Sequence, residues 1–551
     1  MSKKEVQRLL SLPRPRVIPV DELTDLLRIE GTDPPPKMPR RLKPSQADAL
    51  WQATVKAGLF APLAVGAGKT LVALLLPTLI DCERPLILTR SALVPQMKRM
   101  AKEYSKYWHI RDDIEFFAYH WLSEDKNYNY LSDNQFDLIV ADEAHKIANT
   151  HGSDASARAS RVYDYVVNEQ QGDCLFAAMS GTMADKSVIE YWSLAYMALG
   201  EDAPVPLEYY DQRALAAVLD ITGKKIPTAQ DFALWMDLAT DDESLPLQKR
   251  LRNGYRHILR NTPGVAVSED ASCNASIDLI AVDGLETPKT VVDALSDLET
   301  LWSTPTGEYI EDIMHKVNWE LRLACGYYYE IDWPGEPDYE WMEIRSEWLK
   351  FVHSLIGTRD LDSYARARDY VRDNLSHLPV WQDWVRVRDR WPKIGPPRKS
   401  VLMSDYIVQF VKEFTKGDDW LVFYRGRAME EMLWSEGFEV YGAGTEPRED
   451  GYGVQCLSID VHKEGRNLQA WKKMLIINPP PSNKVWEQVI GRIHRQGQEE
   501  DTVEVYYLSH LPIFRNNFKK ALDRAERTED TEGMAQKLCL AYQKSLTIKP
   551  K

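Results

Sequence analysis

Three short runs carry side chains suited to phosphate chemistry. In Gly66-Ala67-Gly68-Lys69-Thr70, glycines let the backbone turn its N–H groups toward an anion. Lys69 reaches β- and γ-phosphates there, and the Thr70 hydroxyl suits Mg2+. In Asp142-Glu143-Ala144-His145 the first carboxylate suits the same cation, and the second can polarise a water for in-line attack. About 420 residues beyond the glycines stands Gln488-Val489-Ile490-Gly491-Arg492-Ile493-His494-Arg495-Gln496-Gly497-Gln498. Its two arginines are three apart and share one face of a helix expected over 484–493. A guanidinium is always charged and forks onto phosphate oxygens, so the pair suits a transferring γ-phosphoryl group. Together the three runs imply hydrolysis of a nucleoside triphosphate.

Such groups need rigid elements behind them. Apolar runs over 61–65, 85–89, 115–119, 136–141 and 174–179 read as strands, with helices over 69–80, 93–104 and 156–167 between them. That alternation means a parallel sheet with crossover helices, and ligand sites in such sheets lie at the C-terminal strand ends. Asp142 and Glu143 stand at one of those ends. The rhythm resumes near 400, with strands over 420–424, 439–441, 454–459, 474–478 and 503–508 and helices over 402–414, 428–436 and 484–493. The fold class is α/β, organised as an N-terminal arm (1–40) with a short helix over 20–29, a first α/β unit (41–200), a helical insert (201–399), a second α/β unit (400–510) and a helical tail (511–551). Eight of the seventeen tryptophans lie in 301–400, where they fill gaps between amphipathic helices. Acidic neighbours argue against a base-stacking platform.

A chain of 551 residues exceeds one core. Six cysteines (82, 174, 273, 325, 456 and 539) lie far apart without a C-x-x-C pair, which excludes a zinc or disulfide framework and fits a reducing compartment. Lys3 and Lys4 are followed by Leu9-Leu10 and prolines, not by the apolar stretch of a secretory signal. The apolar run over 71–80 is too short to span a bilayer and contains Pro77. Net charge is −15, yet residues 201–400 hold 35 acidic against 23 basic side chains, so most of the excess sits in the insert. A local basic track for nucleic acid is compatible with that distribution.

Two further features complete an ordered set. Gln46, in Leu42-Lys43-Pro44-Ser45-Gln46, can read an adenine edge through its amide. Ser180-Gly181-Thr182 follows a strand and can relay the nucleotide state. With Glu464-Gly465-Arg466-Asn467-Leu468-Gln469, these runs resemble the motifs of superfamily 2 helicases, and the His-Arg-x-Gly-Gln ending resembles the Swi/Snf-type branch. The DEAH-box RNA helicases fit less well, because their last motif ends Gly-Arg-x-Gly-Arg. The compact size resembles bacterial or phage-encoded members. Departures are Leu63 where the full Walker pattern has glycine, Ser45 where an aromatic is common, and Met183-Ala184 after Thr182 where proline is usual.

The resemblance covers about 41–200 and 400–510. It implies two RecA-like domains with ATP and Mg2+ between them, the metal on Thr70 and Asp142. Arg492 and Arg495 would be arginine fingers, Gln488 would lie near the γ-phosphate and Gly465 near the ribose. For DNA, the segments at Thr89, Ser91, Tyr424, Arg425, His462 and Lys463 are the expected contacts, since short hydroxyl and basic groups suit phosphates. The function so implied is ATP-driven translocation along double-stranded DNA by a monomer in the cytoplasm of a bacterial cell or phage-infected host. No membrane partner is expected, and the acidic insert offers a surface for a protein partner. The competing readings are a strand-separating DNA or RNA helicase and a nucleic-acid-binding scaffold with a non-motor nucleotide site.

Overall fold

The computed structural model describes residues 3–35, 38–148, 150, 156–181, 183–184, 187–220, 227–268, 273, 275–306, 310, 313–355, 364–391, 397–463, 467–495 and 497–548. Two parallel sheets organise the chain. The first has five strands, β1 (Leu59–Pro62), β2 (Pro85–Thr89), β3 (Glu115–Ala118), β4 (Leu138–Asp142) and β5 (Leu175–Ser180), in the order β1-β5-β4-β2-β3. β1, β2 and β4 are buried throughout, because helices cover both faces of a parallel sheet. Register sets Asp142 opposite Met179, so Ser180 stands one step beyond it on the neighbouring strand.

The second sheet departs from expectation at one edge, where two further strands extend it. Besides β9 (Trp420–Tyr424), β10 (Glu439–Tyr441), β11 (Val454–Ser458), β12 (Lys473–Ile476) and β13 (Thr502–Leu508), it recruits β6 (Ser276–Asp283) and β14 (Tyr542–Thr547), in the order β10-β11-β9-β12-β13-β6-β14. The stretches read as a purely helical insert and a helical tail thus each donate a strand. In Ser276–Asp283 buried and half-buried residues largely alternate, and aspartates at half-buried positions mask the apolar face in the hydrophobicity pattern. A separate antiparallel ribbon joins β7 (Tyr327–Ile331) to β8 (Arg398–Leu402). Helices between its strands form a small core in which Trp348 and Trp381 are buried and Trp384 stacks on Trp348 at 6.1 Å.

The N-terminal arm is more ordered than its prolines suggest. It holds two helices, Lys3–Ser11 and Val20–Leu27. Val6 and Leu9 enter the core of the first lobe, and Arg8 donates to the carbonyls of Ala203 (3.0 Å) and Val205 (2.6 Å).

Helix Pro512–Glu532 ties the lobes together. Phe518, Ala521 and Ala525 pack into the second sheet's core. Along the first lobe's helix Leu247–Asn261, Lys249 pairs with Asp530 at 3.6 Å and Arg256 donates to the Glu529 carbonyl at 3.5 Å. Arg527 lies 3.9 Å from Asp220. Gly254 permits that helix to seat, since a Cβ there would overlap the Leu238 carbonyl oxygen. Gly254→Ala should therefore destabilise the protein by about 1–3 kcal/mol, read from denaturant melts. An unchanged midpoint would show that the helix shifts freely.

Glu532 is buried beside this seam, and neither carboxylate oxygen meets a hydrogen-bond donor among the described residues. Burial pushes its carboxyl up to about 7 against the pull of Arg527 and Lys484. The folded state then holds a proton that the unfolded chain, at 4.5, releases, so stability falls as pH rises from about 4.5 to about 7. Glu532→Gln should flatten that part of the pH–stability profile, and equal slopes in both proteins would assign it elsewhere.

Candidate functional site

The phosphate loop leaves β1 and enters helix Lys69–Leu79, with Thr70 in its first turn. Gly66 (φ 90°) and Gly68 (φ 86°) take the left-handed backbone that other residues avoid. A Cβ on Gly68 would also displace the Gln46 amide. That amide donates to the Gly68 carbonyl at 3.3 Å, and its oxygen accepts from Lys43 N–H at 2.9 Å. Gln46, expected to read adenine, thus also ties helix Pro44–Lys56 to the loop. Ala67 is buried beneath. The Lys69 ammonium donates to the Leu63 carbonyl at 3.2 Å and lies 3.9 Å from Glu143 Oε1.

β4 delivers the two carboxylates with different partners. Asp142 Oδ2 accepts from Thr89 Oγ1 at 3.4 Å, and the Asp142 carbonyl accepts from Tyr119 O–H at 2.8 Å. Glu143 has φ 58°, a strained value for a residue with a Cβ. Its Oε2 accepts from Ser180 Oγ at 3.2 Å and lies 3.4 Å from His145 Nδ1, which in turn stands 2.9 Å from Ser180 Oγ. Burial pushes Asp142 up to about 7, and the Glu143 charge adds to the rise. Burial works the same way on Glu143, but Lys69 and His145 outweigh it and hold that carboxyl below the usual range. Lys69 and His145 thus favour the ionised form of Glu143 more than that of its neighbour.

The second lobe meets this loop directly. A Cβ on Gly491 would approach Val65 Cγ1 to 2.8 Å, so glycine lets the two lobes touch beside the phosphate loop. The helix bearing Gln488 ends at Ile490, three residues earlier than expected. Tight turns follow, with Arg492 N–H donating to Val489 and Arg495 N–H to Ile493. The arginines consequently do not share a helical face. Arg492, 5% exposed, is close enough to Glu143 for its carboxylate to oppose the fall of the guanidinium pKa to about 9, a fall caused first by burial and then by Arg495. Arg495 feels Tyr104 of the first lobe and Glu449 instead. Gln488 is buried, and its carbonyl accepts from Arg492 Nε at 3.0 Å. Gly465 and Thr182 lie outside the described residues.

Of the expected DNA contacts, three are turned inward. Thr89 is fully buried and serves Asp142. Tyr424 is also fully buried, its hydroxyl donating to Glu430 at 2.9 Å, and buried His462 lies 3.2 Å from the Gly442 carbonyl. The first two belong to strand ends covered by helices, where side chains of alternate residues face the core. Ser91 remains exposed, and Arg425 pairs with Asp460 at 2.8 Å. Lys463 feels Arg425 and Arg90, while burial lowers Lys146 to about 8 with Arg90 and Lys463 adding to the fall. These cations from both lobes form one cluster on the Glu143 side. Arg90 stands inside the expected segment Thr89-Arg90-Ser91, whereas Lys146 and the partnership of His145 and Ser180 with Glu143 went unread in the sequence. Parallel register was the available signal for Ser180.

The arrangement brings a lysine, an ionised carboxylate and an arginine from two lobes around one cleft. Residues 40–183 match the family model "Type III restriction enzyme, res subunit". That match, about a quarter of the chain, identifies a superfamily 2 helicase-type ATPase domain containing the phosphate loop, both carboxylates and Ser180. No curated protein matches the chain. Among the described residues, no helix is long and apolar enough to cross a membrane.

Proposed function

We propose that the chain is an ATP-driven motor of the Swi/Snf type that moves along double-stranded DNA. Lys69 and the loop N–H groups bind the β- and γ-phosphates, with Gln46 at the adenine, Gly465 at the ribose and Gln488 near the γ-phosphate. Glu143 accepts the proton of the water that attacks the γ-phosphorus, and ADP leaves with the bridging oxygen. Arg492 offsets the charge spread over the transferring group, and Ser180 and His145 orient Glu143. Hard oxygen donors at Thr70 and Asp142 fit Mg2+, which would neutralise phosphate charge there. Closing of the lobes brings Arg492 in, and opening after hydrolysis resets the grip on DNA. The observation carrying this reading is the placement of Arg492 beside Glu143, with Gly491 against Val65, although the two sequence runs lie far apart.

DNA would run over the cation cluster of Arg90, Lys146, Arg425 and Lys463, with Ser91 beside it. Such binding goes through phosphates and weakens steeply with salt. The restriction-subunit match covers only the ATPase part of the chain, so DNA cleavage is not carried over with it. Phosphate release measured alone and with single-stranded DNA, duplex DNA and RNA tests the reading. Duplex DNA should stimulate most; stimulation by RNA alone, or no release at all, would overturn it. Displacement of a triplex strand without opening of a labelled fork would separate translocation from strand separation.

A further inference from the structure

Tyr119 is 3% exposed, and the mechanism above gives it no task. It directly follows β3, where its N–H donates to the Thr89 carbonyl at 2.9 Å and lengthens the β2–β3 ladder by one residue. β3 is an edge strand, and β2 lies between it and β4. The Tyr119 side chain nonetheless crosses β2, and its hydroxyl donates to the Asp142 carbonyl at 2.8 Å. Two strand spacings come to about 10 Å, a span that a serine or threonine hydroxyl at this position would not bridge.

The carbonyl it holds sets the residue that follows. Asp142 C=O and Glu143 N–H belong to one planar peptide, so fixing that carbonyl fixes the plane from which the Glu143 backbone turns. Glu143 stands at φ 58° and ψ 49°, left-handed backbone that residues with a Cβ rarely keep. Relaxing to the negative φ that such residues prefer would change the turn that sets Glu143 against Ser180 and His145. On the far side, Lys146 N–H donates to the Glu143 carbonyl at 3.1 Å, and the Lys146 carbonyl accepts from Arg158 Nε at 3.0 Å. The strained residue is thus pinned from both ends, and strain of this kind persists only where surrounding bonds hold it. We propose that Tyr119 is a positioning residue for ATP hydrolysis, whose hydroxyl holds the Asp142–Glu143 peptide and so aims the Glu143 carboxylate at the attacking water. The inference rests on the ATPase reading.

Tyr119→Phe removes the hydroxyl and keeps the ring. In the full-length protein with Mg2+ and duplex DNA, it should slow single-turnover ATP hydrolysis by about 10–100-fold, the cost of a reacting group misplaced by about 1 Å. Affinity for a non-hydrolysable ATP analogue should change by less than about threefold, because the Asp142 carboxylate keeps its bond from Thr89. In a Glu143→Gln background the same change should cost less than about threefold further, since groups acting through one another are not additive. Equal losses in both backgrounds, a loss of analogue affinity in step with the rate, or no loss would leave Tyr119 a core residue and overturn the proposal. Hydrogen exchange of the wild-type protein needs no variant to fold. The segment 142–147 should be protected before any nucleotide is added, as β4 is. Rapid exchange there beside a protected β4 would show that no turn is held and would also overturn it. A wild-type protein that releases no phosphate would overturn the ATPase reading instead.

Discussion

Replacing Arg492 by alanine should lower the rate of ATP hydrolysis by about 10^3–10^5-fold, the range by which arginine fingers act. The expectation follows from position. Arg492 is the second-lobe cation that senses Glu143, and burial in the cleft strengthens its field on any charge developing there. Its guanidinium stays protonated at neutral pH even with the pKa lowered to about 9. Because the contact matters most in the transition state, kcat should carry the loss and KM should move little. Arg492→Lys should recover only part, since an ammonium keeps the charge but not the fork. Arg495→Ala should cost less, because Arg495 faces Tyr104 and Glu449. Wild-type turnover in a folded Arg492→Ala protein would remove Arg492 from the mechanism.

Glu143→Gln should bind ATP and DNA but hydrolyse about 10^2–10^4-fold more slowly, the contribution of a positioned general base. The amide can still accept from Ser180, so local geometry persists while the proton acceptor is lost. Lys69 also loses the carboxylate that lies 3.9 Å from it, so nucleotide affinity should hold or rise. Single-turnover hydrolysis beside equilibrium ATP binding separates these effects. Normal turnover would mean that another group takes the proton.

Much of this architecture is written locally in the chain. Apolar runs ending in Gly66–Thr70 and Asp142–Glu143 are complete signals, because a parallel strand and its following loop are consecutive residues. Non-local features were harder to read. Ser276–Asp283 pairs with Thr502–Leu508, more than 200 residues away, and the aspartates on its half-buried face hid the strand. Tyr542–Thr547 is a strand only because β6 offers it an edge. Thr89 and Tyr424 are polar residues at strand ends, and sequence spacing alone does not separate a buried partner of Asp142 or Glu430 from a surface contact. The helix limit at Ile490 falls just before Gly491, a poor helix former, where a Cβ would meet both the Glu487 carbonyl and Val65 of the other lobe.

The most direct test is an experimental structure of the protein with Mg2+, ADP and beryllium fluoride, which mimics the γ-phosphate. The account predicts that one fluoride group is held from opposite sides, by the Lys69 ammonium of the first lobe and the Arg492 guanidinium of the second. A nucleotide held by the first lobe alone, with Arg492 turned away in a closed cleft, would contradict it.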